Sequence, residues 1–277
     1  MKYLLALFLL IPLACPSATA PQRCGWVKIL NYHEVEPEAE IKNKEYLSLD
    51  DKKKSTRAIY LAVTPDKFEE QMIFLKESYA TPSMEELADK MDRNEPFKQN
   101  GVIVSLDGWA GCIYKYAFPV LKKHSIPAII YIQTGNLKAK GALTWTQIKE
   151  MSDAGITIGS HTINHPHLSR KQKDESREDY EKRVSRELEV SKEEIESHIG
   201  KKVEFFAYPY GSFNDDVIRL LKKAGYRNAV TVLWDKNFSD TDKFKMRRRP
   251  VTNFMKLPDF VKIFRWDAED SHAEFAD

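Results

Sequence analysis

Short apolar runs alternate with longer amphipathic stretches along most of the chain. WVKILNYHEV (Trp26 to Val35) predicts a strand that ends in a polar cluster. TPDKFEEQMIFLKES predicts a helix, with Thr64 as cap, Pro65 in the first turn, and Phe68, Met72 and Leu75 at helical spacing. SMEELADKM predicts a shorter, Ser-capped helix. VIVSLD then reads as a strand, YKYAFPVLKKHS as a helix, and PAIIYIQT as a strand rich in β-branched residues. TWTQIKEMSDAG is a helix stopped at Gly155, followed by the strand ITIGSH. A long charged helix spans about Glu175 to His198, with Val184, Leu188 and Ile195 on one side and Gly200 at its end. VEFFAYP, NDDVIRLLKKAG and NAVTVL continue as strand, helix and strand. The charged stretch between Pro37 and Val63 reads as an exposed excursion.

Regular alternation of strand and helix predicts a parallel sheet, most simply an α/β fold of the (β/α) barrel type. In such barrels the reactive residues gather at the C-terminal ends of the strands. With 277 residues and no internal repeat, the chain after its leader reads as one barrel. Residues 26–98 form the N-terminal part and residues 99–277 the core, with a polar C-terminal tail.

The first twenty residues, MKYLLALFLLIPLACPSATA, place an early Lys before an apolar run too short to span a bilayer, then small residues. Residues 1–20 are therefore expected to be a signal peptide, cut after Ala20. Acylation at Cys15, giving a lipid anchor, is the alternative. Either way the mature protein is expected to be exported to the periplasm, the cell envelope or the exterior. No later segment is long and apolar enough to be transmembrane. Lys plus Arg number 43 against 41 Asp plus Glu, a formal net charge of +2, which excludes a global charge signal for nucleic acid. The three cysteines form no CxxC pair, and Cys24 could bridge to Cys112 in an oxidising compartment.

Several predicted strands end in reactive side chains. NYHEV supplies His33, SLDGW supplies Asp107, and IGSHTINHPH supplies His161 and His165, with His167 in the loop beyond. AYPYG supplies Tyr208 to Gly211. A barrel would bring these distant positions to one rim. Two imidazoles and a carboxylate can hold Zn²⁺ or a similar divalent ion and leave a position for water. A histidine or carboxylate nearby can move the protons. The chemistry indicated is metal-assisted hydrolysis of an amide or ester. Trp109, Trp145, Tyr208 and Tyr210 are aromatic candidates for sugar stacking at the mouth; for Trp145, packing in the barrel is at least as good a reading.

SLDGW followed by YKYAFPVLKKHSIPAIIYIQTG, together with IGSHTINHP and FAYPYGSFND, resembles the polysaccharide deacetylase (NodB-homology) family over about Val27 to Val251. The resemblance implies a distorted (β/α) barrel with fewer than eight regular strands. It also implies removal of acetyl groups from glycans, with a divalent metal, Zn²⁺ first among candidates, held by Asp, His and His. His161 and His165 match the metal histidines. Tyr210 matches the residue whose backbone N–H helps form an oxyanion hole. His33 precedes the Asp motif, as the acid histidine does in the circularly permuted branch that includes poly-N-acetylglucosamine deacetylases. MRRRPVTN (Met246 to Asn253) resembles that branch's closing strand; a solvated basic turn is the alternative for its arginines. The Arg often found before the Pro-Tyr-Gly segment is absent here.

The family motif has two adjacent acids before its glycine, a base and then a metal ligand, whereas this chain has one. An ungapped alignment makes Asp107 the base and puts Gly108 in the ligand's place. A shifted alignment makes Asp107 the ligand and lengthens the following loop by one residue. Two functions follow: an exported carbon–nitrogen hydrolase acting on N-acetylglucosamine-containing glycan, exopolysaccharide or peptidoglycan, or a catalytically impaired homologue that binds cell-envelope glycan.

Overall fold

The computed structural model describes residues 25–41 and 60–264. Nine strands are labelled here in chain order: β1 Val27–Tyr32, β2 Glu34–Val35, β3 Ala62–Val63, β4 Gly101–Gly108, β5 Ala128–Ile132, β6 Thr157–Ser160, β7 Phe205–Ala207, β8 Asn228–Val230 and β9 Arg248–Pro250. The helices are α1 Pro65–Ser78, α2 Met84–Asp92, α3 Phe118–His124, α4 Trp145–Asp153, α5 Arg177–Ile199, α6 Asp215–Lys223 and α7 Leu257–Lys262. The signal-peptide reading, the Cys15 anchor and the Cys24 half of a disulfide lie outside the described residues, as does most of the charged excursion. No described helix is long and apolar enough to cross a membrane.

Seven strands form one parallel sheet in the order β8-β7-β6-β5-β4-β1-β9. The bridge between Val230 and Met246, with Thr231 N–H donating to Met246 O at 2.7 Å, brings the two sheet edges together. The result is a nearly closed barrel with helices around it, the distorted (β/α) barrel of fewer than eight strands that the sequence predicts. β1 is buried along its whole length and lies between β4 and β9. The N-terminal part of the chain is thus integral to the barrel wall.

Strands buried on both faces carry apolar residues at nearly every position. On β4, Val102, Val104 and Leu106 face the surrounding helices, while Ile103 packs inside with Ile29, Ile129, Tyr131 and Phe205. Met84, Leu87 and Met91 of α2 join this inner cluster. The helices start where short polar side chains can satisfy their first N–H groups. Thr64 and Ser176 cap α1 and α5, and Ser83 and Thr144 make reciprocal capping boxes with Glu86 and Gln147. Gly200, in the left-handed conformation, ends α5.

Several elements are shorter than the sequence suggests; VEFFAYP, for one, is extended only over Phe205–Ala207. The first strand breaks at His33 into β1 and β2, and NAVTVL is extended only over Asn228–Val230.

Candidate active site

A pocket of 520 Å³ opens at the C-terminal ends of the strands, lined by His33, Asp107, Trp109, His161, His165 and Tyr210 among others. All five residues assigned chemistry from the sequence, Asp107, His33, Tyr210, His161 and His165, therefore meet in one cavity. The pleat of β4 explains Asp107. Leu106 is buried in the outer cluster, so its neighbours Ser105 and Asp107 turn inward.

Asp107 is held by Arg248 of β9. Nη1 donates to Oδ1 at 2.6 Å and Nη2 donates to Oδ2 at 2.7 Å. The guanidinium is fully buried; its Nε donates to Thr231 O at 2.9 Å and its Nη1 also reaches Ser105 Oγ at 3.3 Å. Burial alone would push the Asp107 carboxyl up, but the charge of Arg248 outweighs it and holds the group well below the usual carboxylate range. The sequence offered three consecutive arginines without a way to choose between them. Strand alternation chooses: Arg248 points into the barrel, while Arg247 pairs with Asp235 and Arg249 covers the Trp234 ring. This corrects the solvated-turn alternative for Arg248.

His161 follows β6 and is buried. Its Nδ1 lies 2.8 Å from Ala207 O, which requires the proton on Nδ1 and leaves the Nε2 lone pair free of it. Nε2 is 4.0 Å from Asp107 Oδ2. Burial holds the His161 pKa below the ordinary imidazole range, against the pull of Asp107. The ring of His165 stands edge-on to His161, centroids 4.7 Å apart. Tyr210 packs edge-on against His165 at 4.5 Å, and His167 stacks on Tyr210 at 4.0 Å. Both His165 (φ 57°) and Tyr210 (φ 58°) occupy the left-handed region, uncommon for side chains of this size.

Two aromatic candidates are not at the mouth. Tyr208 is fully buried and donates its hydroxyl to Phe244 O at 2.9 Å, because strand alternation faces it to the helices. Trp145 stacks on His198 at 3.9 Å, in the outer layer. Trp109 and Tyr210 do line the cavity.

Gly108 has φ +142°, a conformation L side chains rarely adopt, although a Cβ there would meet nothing within 4 Å. Shortly after it, Ile113–Ala117 forms a π-helical turn, which takes an extra residue into a helix.

The donors fit a divalent ion in part. His161 has its outer nitrogen anchored and its inner lone pair presented to the pocket, as metal-bound imidazoles require. His165 is beside it. Both Asp107 oxygens, however, are engaged by Arg248, and among the described residues no three His, Cys, Asp or Glu side chains form a group that could hold a metal ion. The arrangement suits two imidazoles with solvent in the other positions, not a cage made wholly of protein.

Residues 94–229 match the family model for polysaccharide deacetylase. A poly-β-1,6-N-acetyl-D-glucosamine N-deacetylase of Staphylococcus epidermidis is 28% identical over 249 residues, covering 87% of this chain and 83% of that protein. Among solved structures, a polysaccharide deacetylase from Bacillus cereus is 27% identical with a TM-score of 0.67, covering 86% of this chain and 68% of its own. A Streptococcus pyogenes deacetylase solved with acetate has a TM-score of 0.71 at 24% identity, covering 86% and 97% of the two chains, and shares the fold.

Proposed function

The chain belongs to the polysaccharide deacetylase family, and from that premise we propose an exported, metal-dependent hydrolase that removes N-acetyl groups from N-acetylglucosamine-containing glycan. The observation that carries this reading is the meeting of Asp107, His33, His161 and His165 in one cavity at the strand ends. The similarity to a poly-N-acetylglucosamine N-deacetylase along most of both chains supports the substrate class.

His161 and His165 would hold the divalent ion, which supplies Lewis acidity toward the acetyl carbonyl oxygen. The other steps belong to the chain. Asp107, kept ionised by Arg248, orients a water molecule and accepts its proton as oxygen attacks the carbonyl carbon. The backbone N–H of Tyr210 donates to the developing oxyanion. As the carbon–nitrogen bond breaks, His33 gives a proton to the departing amine, and acetate is released. The arginine grip makes Asp107 a weak base, so activity is expected to be modest. We assign the lost second acid to a deletion between Asp107, which keeps the place and role of the first acid, and Gly108, the motif's own glycine, with the compensating residue taken up in the π-helical turn.

The second reading, a glycan-binding homologue of impaired activity, is favoured by the single motif acid and the two-histidine donor set. Acetate release from N-acetylglucosamine oligomers, measured with metal content, separates the two. Release with bound metal supports the enzyme. Glycan binding without release, in metal-loaded protein, overturns it in favour of the binder. Mass spectrometry of the native N-terminus tests export: a start near Pro21, or an acylated Cys15, is expected, and a chain retaining Met1 refutes it.

A further inference from the structure

His165 sits on a loop whose backbone cannot hold itself. Thr162 (φ 67°) and His165 (φ 57°) are both in the left-handed region, so no regular ladder forms between them. Every buried N–H nevertheless needs an acceptor. From His161 to His165 each amide has one. His161 N–H donates to Ile132 O at 2.8 Å, Thr162 N–H to Ser160 Oγ at 3.4 Å, and His165 N–H to Thr162 Oγ1 at 2.9 Å. The middle two, Ile163 and Asn164, donate to a single oxygen, Oε2 of Glu187, both at 2.9 Å. The other oxygen, Oε1, accepts from Asn164 Nδ2 at 2.7 Å.

Glu187 lies on α5, is 5% exposed, and has no place in the catalytic steps above. One turn on, Ser191 bonds Ser160 Oγ at 2.7 Å, so the helix grips both the strand end and the loop. From the opposite side, Thr134 N–H and Gly135 N–H donate to the carbonyls of Thr162 and Ile163, at 3.1 and 3.0 Å. The carbonyls are fixed by the neighbouring strand's end, the amides by the helix.

We infer that Glu187 is a positioning residue: its carboxylate sets the loop conformation that presents the His165 imidazole to the pocket. The inference rests on the reading of His165 as a metal-holding residue. The test uses complementarity between Glu187 and Asn164. Glu187→Ala removes the acceptor. Asn164→Asp turns a donor into a second acid facing the first. Combining Glu187→Gln with Asn164→Asp restores a donor–acceptor pair with the polarity reversed, because the new amide keeps one oxygen for the two backbone N–H groups and donates to the new carboxylate.

Zn²⁺ affinity, measured by chelator competition on purified full chain, is expected to fall about 10- to 100-fold in each single variant. It is expected to recover in the double variant. Hydrogen exchange at the Ile163 and Asn164 amides should quicken and recover in the same order. Thermal melts identify any variant that fails to fold, in which case the Asn164→Asp single and the double variant carry the comparison. Affinity unchanged in folded single variants, or not recovered in the double variant, overturns the inference. If the parent binds no Zn²⁺, the metal reading fails on its own. Glu187 is then judged by the His165 ring resonances, whose displacement in Glu187→Ala and return in the double variant supports positioning and whose constancy overturns it.

Discussion

Arg248 and Asp107, 141 residues apart in sequence, form a buried two-pronged ion pair from β9 across β1 to β4, with N–O distances of 2.6 and 2.7 Å. A buried carboxylate tolerates loss of its cation poorly, because little water reaches the charge that is left. Arg248→Met is expected to destabilise the fold by about 3–5 kcal/mol in urea denaturation. The double variant Arg248→Met with Asp107→Asn should recover part of that loss. If the double variant is as unstable as the single one, the charge is not what the arginine answers to.

Asp107→Asn should lower acetate release about a hundred- to ten-thousandfold while Zn²⁺ affinity stays close to the parent's. The opposite result, lost metal, would make Asp107 a ligand, as in the shifted alignment.

The same substitution has a pH signature. The folded-state pKa of Asp107 is depressed below the unfolded one, which is about 3.9. Its stabilising contribution is therefore complete at neutral pH and is lost as the pH falls from that value toward the folded pKa. Stability curves of parent and Asp107→Asn should converge below about pH 4. A gap that widens there would contradict the assignment.

Replacing His161 and His165 together with Ala should abolish bound metal in protein that has been stripped and reloaded with Zn²⁺. Unchanged stoichiometry by elemental analysis sinks the site.

Gly108 has room for a side chain but the wrong φ for one. Gly108→Ala and Gly108→Asp are both expected to cost about 1–3 kcal/mol of stability. Gly108→Asp should not tighten metal binding. Tighter binding by Gly108→Asp than by the parent would show instead that position 108 is a vacant ligand position.

What the sequence made legible was local. Cap residues such as Thr64 and Ser83, the stop at Gly200, and the buried strand VIVSLD are signals carried by adjacent residues. The site histidines and Asp107 could be placed together because a barrel collects strand ends. Two partners remained hidden. Arg248 sits among three arginines in a strand of three residues, and only pairing with β1 reveals which one points inward. Glu187 belongs to a long charged helix in which nothing local marks it out from its neighbours, and its burial depends on a loop more than twenty positions earlier. Tyr208 misled for the reverse reason: adjacent to the pocket in sequence, it faces away by one step of strand alternation.

The pairing of β9 with β1 sets the order in which the pocket comes into being during synthesis. A ribosome makes His33, Asp107, His161 and His165 long before it makes Arg248. Until the closing strand emerges, the carboxylate has no counter-charge and the barrel stands open along one seam. A product that ends before Arg248 would therefore hold His33, Asp107, His161 and His165 without the closing strand and without the cation that grips Asp107.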